Sequence, residues 1–187
     1  MTATPSTLSD KNLVWMDLEM TGLDPEKERI IEVAVIITDS DLNVIAEGPD
    51  LVVHQPAKLL KAMDEWNQNQ HSKSGLIEKV KASKITEEEA ETKTLEFISK
   101  YVGPKASPLC GNSIHHDRRF LIKYMPKLNE HLHYRHIDVT TIKAVVQRWY
   151  PATRRYMQKK EKHRALNDVR ESIAELKYLR EHYFVKR

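Results

Sequence analysis

Cysteine is nearly absent from this chain: Cys110 is the single one among 187 residues. That excludes an intrachain disulfide and a thiolate zinc cluster, and it suits a reducing compartment. No apolar run approaches the length of a membrane span, so a membrane protein is not expected. The stretch from Met1 to Asn12 has neither a basic n-region nor an apolar h-region and lacks the arginines of a transit peptide. A short flexible tail over residues 1–12 and a cytoplasmic location are therefore expected. There is no internal repeat and no low-complexity tract. A chain of this length buries roughly 70% of the surface its unfolded form exposes, so no metal is needed merely to hold it together. The net charge of +3 conceals a split, because residues 1–100 carry 11 Lys/Arg against 19 Asp/Glu and residues 101–187 carry 19 against 8. Metal-binding acids facing a polyanion site would need such a split, and two solvated surfaces of opposite sign would also show it.

Leu13 to Glu19 is an apolar run that ends in two acids separated by one residue, and it reads as a strand. Arg29 to Asp39 reads as a second, joined to the first by a turn through Gly22, Leu23, Asp24 and Pro25. A third, Val44 to His54, is interrupted by Gly48-Pro49, which predicts an edge strand or a bulge. Helices are expected over Lys58 to Asn69, near Gly75 to Ala82, and from Thr86, where Thr86 and Glu89 form a capping box. Ala90, Thr94, Phe97, Ile98 and Tyr101 mark the buried stripe of that last helix. Pro108 to Gly111 predicts a fourth strand, His116 to Met125 a helix stopped by Pro126, Arg135 to Val139 a fifth strand and Thr140 to Trp149 a helix. Tyr150 to Arg164 has no clear period and reads as an exposed basic loop, and Ala165 to Tyr183 as the final helix. A three-strand meander followed by helices alternating with two further strands implies an α/β fold, with a mixed five-stranded sheet flanked by helices.

Side chains alternate along a strand, so Asp17 and Glu19 point to one face while Leu18 points to the other. Two carboxylates on one face of an otherwise buried strand repel each other unless a cation sits between them. A second acid, Asp117, follows Gly111-Asn112-Ser113-Ile114-His115-His116 at the start of a helix after a short strand. Loops at strand ends are where α/β proteins gather site residues; taken alone, Asp117 also reads as an acid favoured by the helix dipole. In His163-Arg164-Ala165-Leu166-Asn167-Asp168 the histidine precedes a helix and the acid lies about one turn inside it. A lone histidine in a basic loop also reads as solvated. Together Asp17, Glu19, Asp117 and Asp168 offer only oxygen, which suits magnesium or manganese rather than zinc. Phosphodiester hydrolysis by two metal ions is the chemistry this set points to. His163, with an ordinary pKa of about 6.5, is then read as the general base.

The run Asp17-Leu18-Glu19-Met20-Thr21-Gly22-Leu23-Asp24, then Gly111-Asn112-Ser113 with Asp117-Arg118-Arg119-Phe120-Leu121, then His163 with Asp168, resembles the oligoribonuclease family of the DEDDh branch of exonucleases. The likeness takes in Ala46-Glu47-Gly48-Pro49, Lys123-Tyr124-Met125-Pro126 and His133-Tyr134-Arg135, and so covers nearly the whole chain. It implies a ribonuclease-H-like fold, residues 1–187 as a single 3′-to-5′ exonuclease domain, a homodimer and two divalent metal ions, Mg2+ or Mn2+. The implied reaction is the 3′-to-5′ cleavage of short single-stranded RNA and dinucleotides, not duplex DNA, into nucleoside 5′-monophosphates. Carried over residue by residue, the metal ligands are Asp17, Glu19, Asp117 and Asp168, the base is His163, and a cap on the substrate 5′-phosphate falls on Ser113, Arg135 and Thr140. Hydroxyls and a guanidinium suit phosphate oxygens, and Thr140 stands where serine is expected, keeping the hydroxyl and adding a methyl. Leu23 and Trp66 resemble surfaces that wedge and stack bases, although core packing explains Leu23 equally well. His71 resembles a residue near the substrate and Tyr134 one supplied across the dimer interface. Asn167 stands where many relatives have a second acid, but Asp168 is intact.

The basic cluster Arg154, Arg155, Lys159, Lys160, Lys162 and Arg164 reads either as a steering surface for RNA or as a solvated loop. Two rival functions stay open beside the first: an exonuclease of the same branch acting on longer substrates, and a non-catalytic RNA-binding module.

Overall fold

The computed structural model describes residues 8–151 and 164–184. Strands β1 (Leu13–Met20), β2 (Ile30–Thr38) and β3 (Val44–Val52) form the expected meander, β1 with β2 and β2 with β3 antiparallel. Helices α1 (Ala57–Ala62), α2 (Glu65–Lys73), α3 (Leu76–Ala82) and α4 (Glu87–Ile98) follow. The chain then runs through β4 (Leu109–Gly111), α5 (His115–Tyr124), α6 (Pro126–His131), β5 (His136–Asp138), α7 (Val139–Trp149) and α8 (Ala165–Tyr183). The sheet order is β3-β2-β1-β4-β5, with β4 parallel to β1 and β5 parallel to β4. No described helix is long and apolar enough to cross a membrane.

Alternation along β1 sorts the core into two layers. Val14, Met16, Leu18 and Met20 join one buried cluster with Ala90 and Ile98 of α4, Phe120 and Leu121 of α5 and Leu128 of α6. Trp15 faces the other way and packs with Ala34 and Ile36 of β2, Val146 of α7 and Val169, Ile173 and Leu179 of α8. Each large aliphatic side chain buried in this way contributes about 1.5–3 kcal/mol. All nine residues of β2 are buried, as befits a strand covered on both faces. Asp17 and Glu19 share the face of Trp15, so the pleat itself carries them toward α8.

Three local features depart from the expectations. The helix expected over Lys58 to Asn69 is broken at Met63, and Asp64 caps α2 by accepting from the Asn67 amide at 2.8 Å. Pro126 does end α5, but it also opens α6, where its missing N–H costs nothing at the first helical position. The flexible tail expected through Asn12 is anchored from Ser9, since the Ser9 amide and the Asn12 side chain both donate to the Tyr101 carbonyl, at 3.0 and 2.9 Å. The capping box of Thr86 and Glu89 is present. At Gly48-Pro49 the edge strand bulges, with Ala34 paired to Asp50 and Ile36 to Glu47. A Cβ on Gly48 would lie 2.5 Å from both Phe97 and Val35, so only glycine lets β3 pass there.

Candidate active site

The acids arrive from three elements. β1 brings Asp17 and Glu19, and the first turn of α8 brings Asp168. One carboxylate oxygen from each of these three lies within 4.8 Å of the others. Asp117, in the first turn of α5, is buried, and its Oδ1 accepts from the Leu18 amide at 2.8 Å. That bond pins it to the backbone between the two acids of β1. Asp117 stands outside the three-oxygen group, yet its charge bears on Glu19.

Burial, and then the charges of Asp168, Glu32 and Asp117, push the Glu19 carboxyl up to about 8. Burial likewise pushes Asp117 up to about 7, against the opposing hydrogen bond from Leu18. Carboxylates that oppose one another's ionisation in this way are what a bound cation relieves. The donor set is all oxygen, so the residues fit hard divalent cations. His71 lies beneath Glu19, its Nε2 donating to the Met20 carbonyl at 3.0 Å and its Nδ1 4.0 Å from Glu19 Oε2. It is 2% exposed, and therefore meets Glu19 rather than solvent.

A cavity of about 270 Å³ adjoins the acids and is lined by Asp17, Glu19 and Asp168 together with Asn112, Ser113, Thr140 and Lys143. Ser113 adopts a φ of 50°, and its amide donates to Asp138 Oδ1 and Thr140 Oγ1, both at 3.0 Å. The two hydroxyls are 3.2 Å apart, and Thr140 donates to Asn112 Oδ1 at 3.0 Å. Lys143 reaches both oxygens of Glu175, at 3.0 and 3.1 Å, and Glu175 also accepts from Asn112 at 2.7 Å. Ser113 and Thr140 follow the carboxyl ends of the parallel strands β4 and β5, the end at which open α/β sheets bind ligands.

Arg135 is not brought into this cavity. It precedes β5, at the opposite end of that strand from Thr140, which lies in the first turn of α7. Its guanidinium lies 5.4 Å from the Tyr134 ring centroid, and it lines a separate hollow with His133, His136 and Ile137. Leu23, Trp66 and Tyr134 are 59%, 64% and 72% exposed, which removes the core-packing alternative for Leu23. His163 lies outside the described residues, as do Arg154, Arg155, Lys159, Lys160 and Lys162. Residue-by-residue reading missed Lys143, Glu175 and Glu32. A glutamate within the apolar run Ile30–Thr38 was the one available signal for Glu32, whereas a lysine on an amphipathic helix gives none.

Residues 14–176 match the model of the RNase_T family, described as exonuclease. The oligoribonuclease of Bordetella pertussis is 59% identical over 174 residues, spanning 93% of this chain and 96% of that protein. That of Coxiella burnetii is 58% identical over 174 residues, spanning 93% and 95%, and that of Acinetobacter baylyi 53% over 181 residues, spanning 97% and 99%. Among solved structures, exonuclease I from Methylocaldum szegediense superimposes with a TM-score of 0.68 at 20% identity, covering 92% of this chain and 41% of that one. Escherichia coli exonuclease I in complex with an oligonucleotide gives 0.67 at 16% identity, covering 91% and 41%. These two share the ribonuclease-H-like fold, and the chain spans about two fifths of their length. Sequence and fold therefore agree that the chain belongs to the oligoribonuclease family of RNase_T exonucleases, and that it is a nuclease hydrolysing phosphodiester bonds.

Proposed function

We propose that the chain is a 3′-to-5′ exoribonuclease that hydrolyses very short single-stranded RNA, above all 5′-phosphorylated dinucleotides, to nucleoside 5′-monophosphates. It works in the cytoplasm as a homodimer, with two divalent metal ions, Mg2+ or Mn2+, and His163 as general base. One observation carries the reading: carboxylate oxygens of Asp17, Glu19 and Asp168 gather within 4.8 Å in a cavity that also holds the Ser113 and Thr140 hydroxyls. Asp17, Glu19, Asp117 and Asp168 would hold the ions, which would supply Lewis-acid polarisation of the scissile phosphate and a lowered pKa for a water molecule. His163 takes a proton from the attacking water at its imidazole as the new bond to phosphorus forms. The bond from phosphorus to the preceding nucleotide's 3′ oxygen breaks, and that oxygen leaves with a proton drawn from solvent.

Ser113 and Thr140 grip the 5′-phosphate, and Leu23 and Trp66 offer apolar surfaces to the bases. A grip on the 5′-phosphate closes the cavity behind a dinucleotide, so length preference follows from geometry. Arg135 and Tyr134 serve the site of the partner subunit, which reconciles their role with their place outside the cavity, before β5. The test is a time course with a 5′-phosphorylated dinucleotide and a longer RNA, each with Mg2+ and with chelator. Metal-dependent turnover that favours the dinucleotide is expected. Turnover that survives chelation overturns the metal chemistry, and a preference for the longer RNA overturns the substrate.

A further inference from the structure

Glu32 is fully buried in β2 and stands directly opposite Glu19 in the antiparallel pairing of β1 with β2. Like charges in that cross-strand position repel, and a second acid on that face offers itself as one more metal ligand. It is taken up otherwise. Arg164 Nε donates to Glu32 Oε1 and Oε2 at 2.9 and 3.2 Å, Arg164 Nη2 donates to Oε1 at 2.5 Å, and the Ala165 amide donates to Oε2 at 3.0 Å. Both oxygens of the carboxylate are thus committed to a fork of donors and to the first amide of α8. The backbone amide of the same Arg164 donates to Asp168 Oδ2 at 3.2 Å. A buried acid of the sheet is in this way joined, through one arginine, to the acid that α8 delivers to the site.

We propose that Glu32 and Arg164 are positioning residues for Asp168. Their clamp fixes the first turn of α8 against β2, keeps a carboxylate oxygen of Asp168 within reach of Asp17 and Glu19, and withholds Glu32 from the ions. Asp50, whose Oδ2 lies 3.8 Å from Arg164 Nη2, adds charge on the clamp's outer side but supplies no second fork. The inference rests on the reading of Asp17, Glu19 and Asp168 as metal ligands. Groups that orient ligands in this way commonly govern metal affinity by about 10- to 100-fold.

The test uses the full chain, freed of metal, with Mn2+ binding followed by calorimetry and amide hydrogen exchange followed along α8. Glu32→Gln is expected to weaken Mn2+ binding about tenfold or more and to speed exchange in the first turn of α8, with KM for the dinucleotide changed less than about twofold. Arg164→Met is expected to do the same from the half-buried side of the pair, and it carries the test if Glu32→Gln fails to fold. Because the two act as one unit, the double variant should bind Mn2+ no more weakly than the weaker single variant. Variants that fold and bind Mn2+ as the wild type does overturn the clamp alone. A wild-type protein that binds no Mn2+ overturns the metal reading and the clamp's role with it.

Discussion

At the scale of single residues, the protonation of Glu19 ties stability to function. Its carboxyl ionises near 4.5 when free but at about 8 in the fold, because burial and the neighbouring acids oppose the charge. Between those values the folded chain keeps a proton that the unfolded chain has released, so without metal the stability contributed here is lost as pH rises through the folded pKa. Calorimetric melting in chelator should therefore show a transition temperature that falls between about pH 5.5 and pH 8.5, more steeply in the wild type than in Glu19→Gln. Mn2+ should raise the transition most at the higher pH, since the ion competes with the proton. An equal slope in both proteins would remove Glu19 as its source. Asp117→Asn should lower kcat on the order of 10³-fold, a few kcal/mol of lost transition-state stabilisation, while the chain still melts cooperatively.

Legibility at this scale followed chemistry. Asp17 and Glu19 stood out because a strand's pleat puts both on one face, whereas the partner of Glu32 lies 132 residues away and that of Lys143 lies 32 away. No local pattern encodes a pair that only the folded chain assembles.

At the scale of elements, β1 and β2 declared themselves as long apolar runs, and the capping box announced α4. What stayed hidden was short. The six residues of α6 make fewer than two turns, too few for a hydrophobic period, and they are held by an acid from another helix. Glu91 of α4 is 3% exposed, and its Oε1 accepts from the Lys127 and Leu128 amides at 2.7 and 3.1 Å. It thereby satisfies helix-start donors that the N-cap residue, Met125, leaves without a side-chain cap. Glu91→Ala should cost about 1.5–3 kcal/mol in urea unfolding, because buried amides lose a charged acceptor. Turnover per folded molecule should stay near wild type, as Glu91 contacts the apolar layer on the opposite side of the sheet from Asp17 and Glu19. A large loss of kcat in the folded fraction would show the two faces to be coupled.

At the scale of the whole molecule, the separation of Arg135 from Thr140 bears on how many chains make one site. Arg135 and Tyr134 sit together at the exposed far end of β5, and Trp149 at the end of α7 is 73% exposed. The proposed homodimer would bury such large exposed side chains. In a symmetric dimer the same patch serves both subunits, so each chain would lend its Arg135 to its neighbour. Mixing decides the matter. Asp117→Asn spoils the acids of its own chain but leaves Arg135 intact, and Arg135→Ala does the reverse. If Arg135 acts across the interface, a heterodimer of the two variants contains one site with intact acids and a lent arginine. Unfolding and refolding an equal mixture should then restore about a quarter of the wild-type rate on 5′-phosphorylated dinucleotide, since half the dimers are mixed and half their sites are whole. If Arg135 serves its own chain, every site in the mixture carries a defect and the rate stays at the level of the separate variants. Trp149→Glu, judged by sedimentation, should shift the protein toward the 21.8 kDa single chain and abolish the rescue with it.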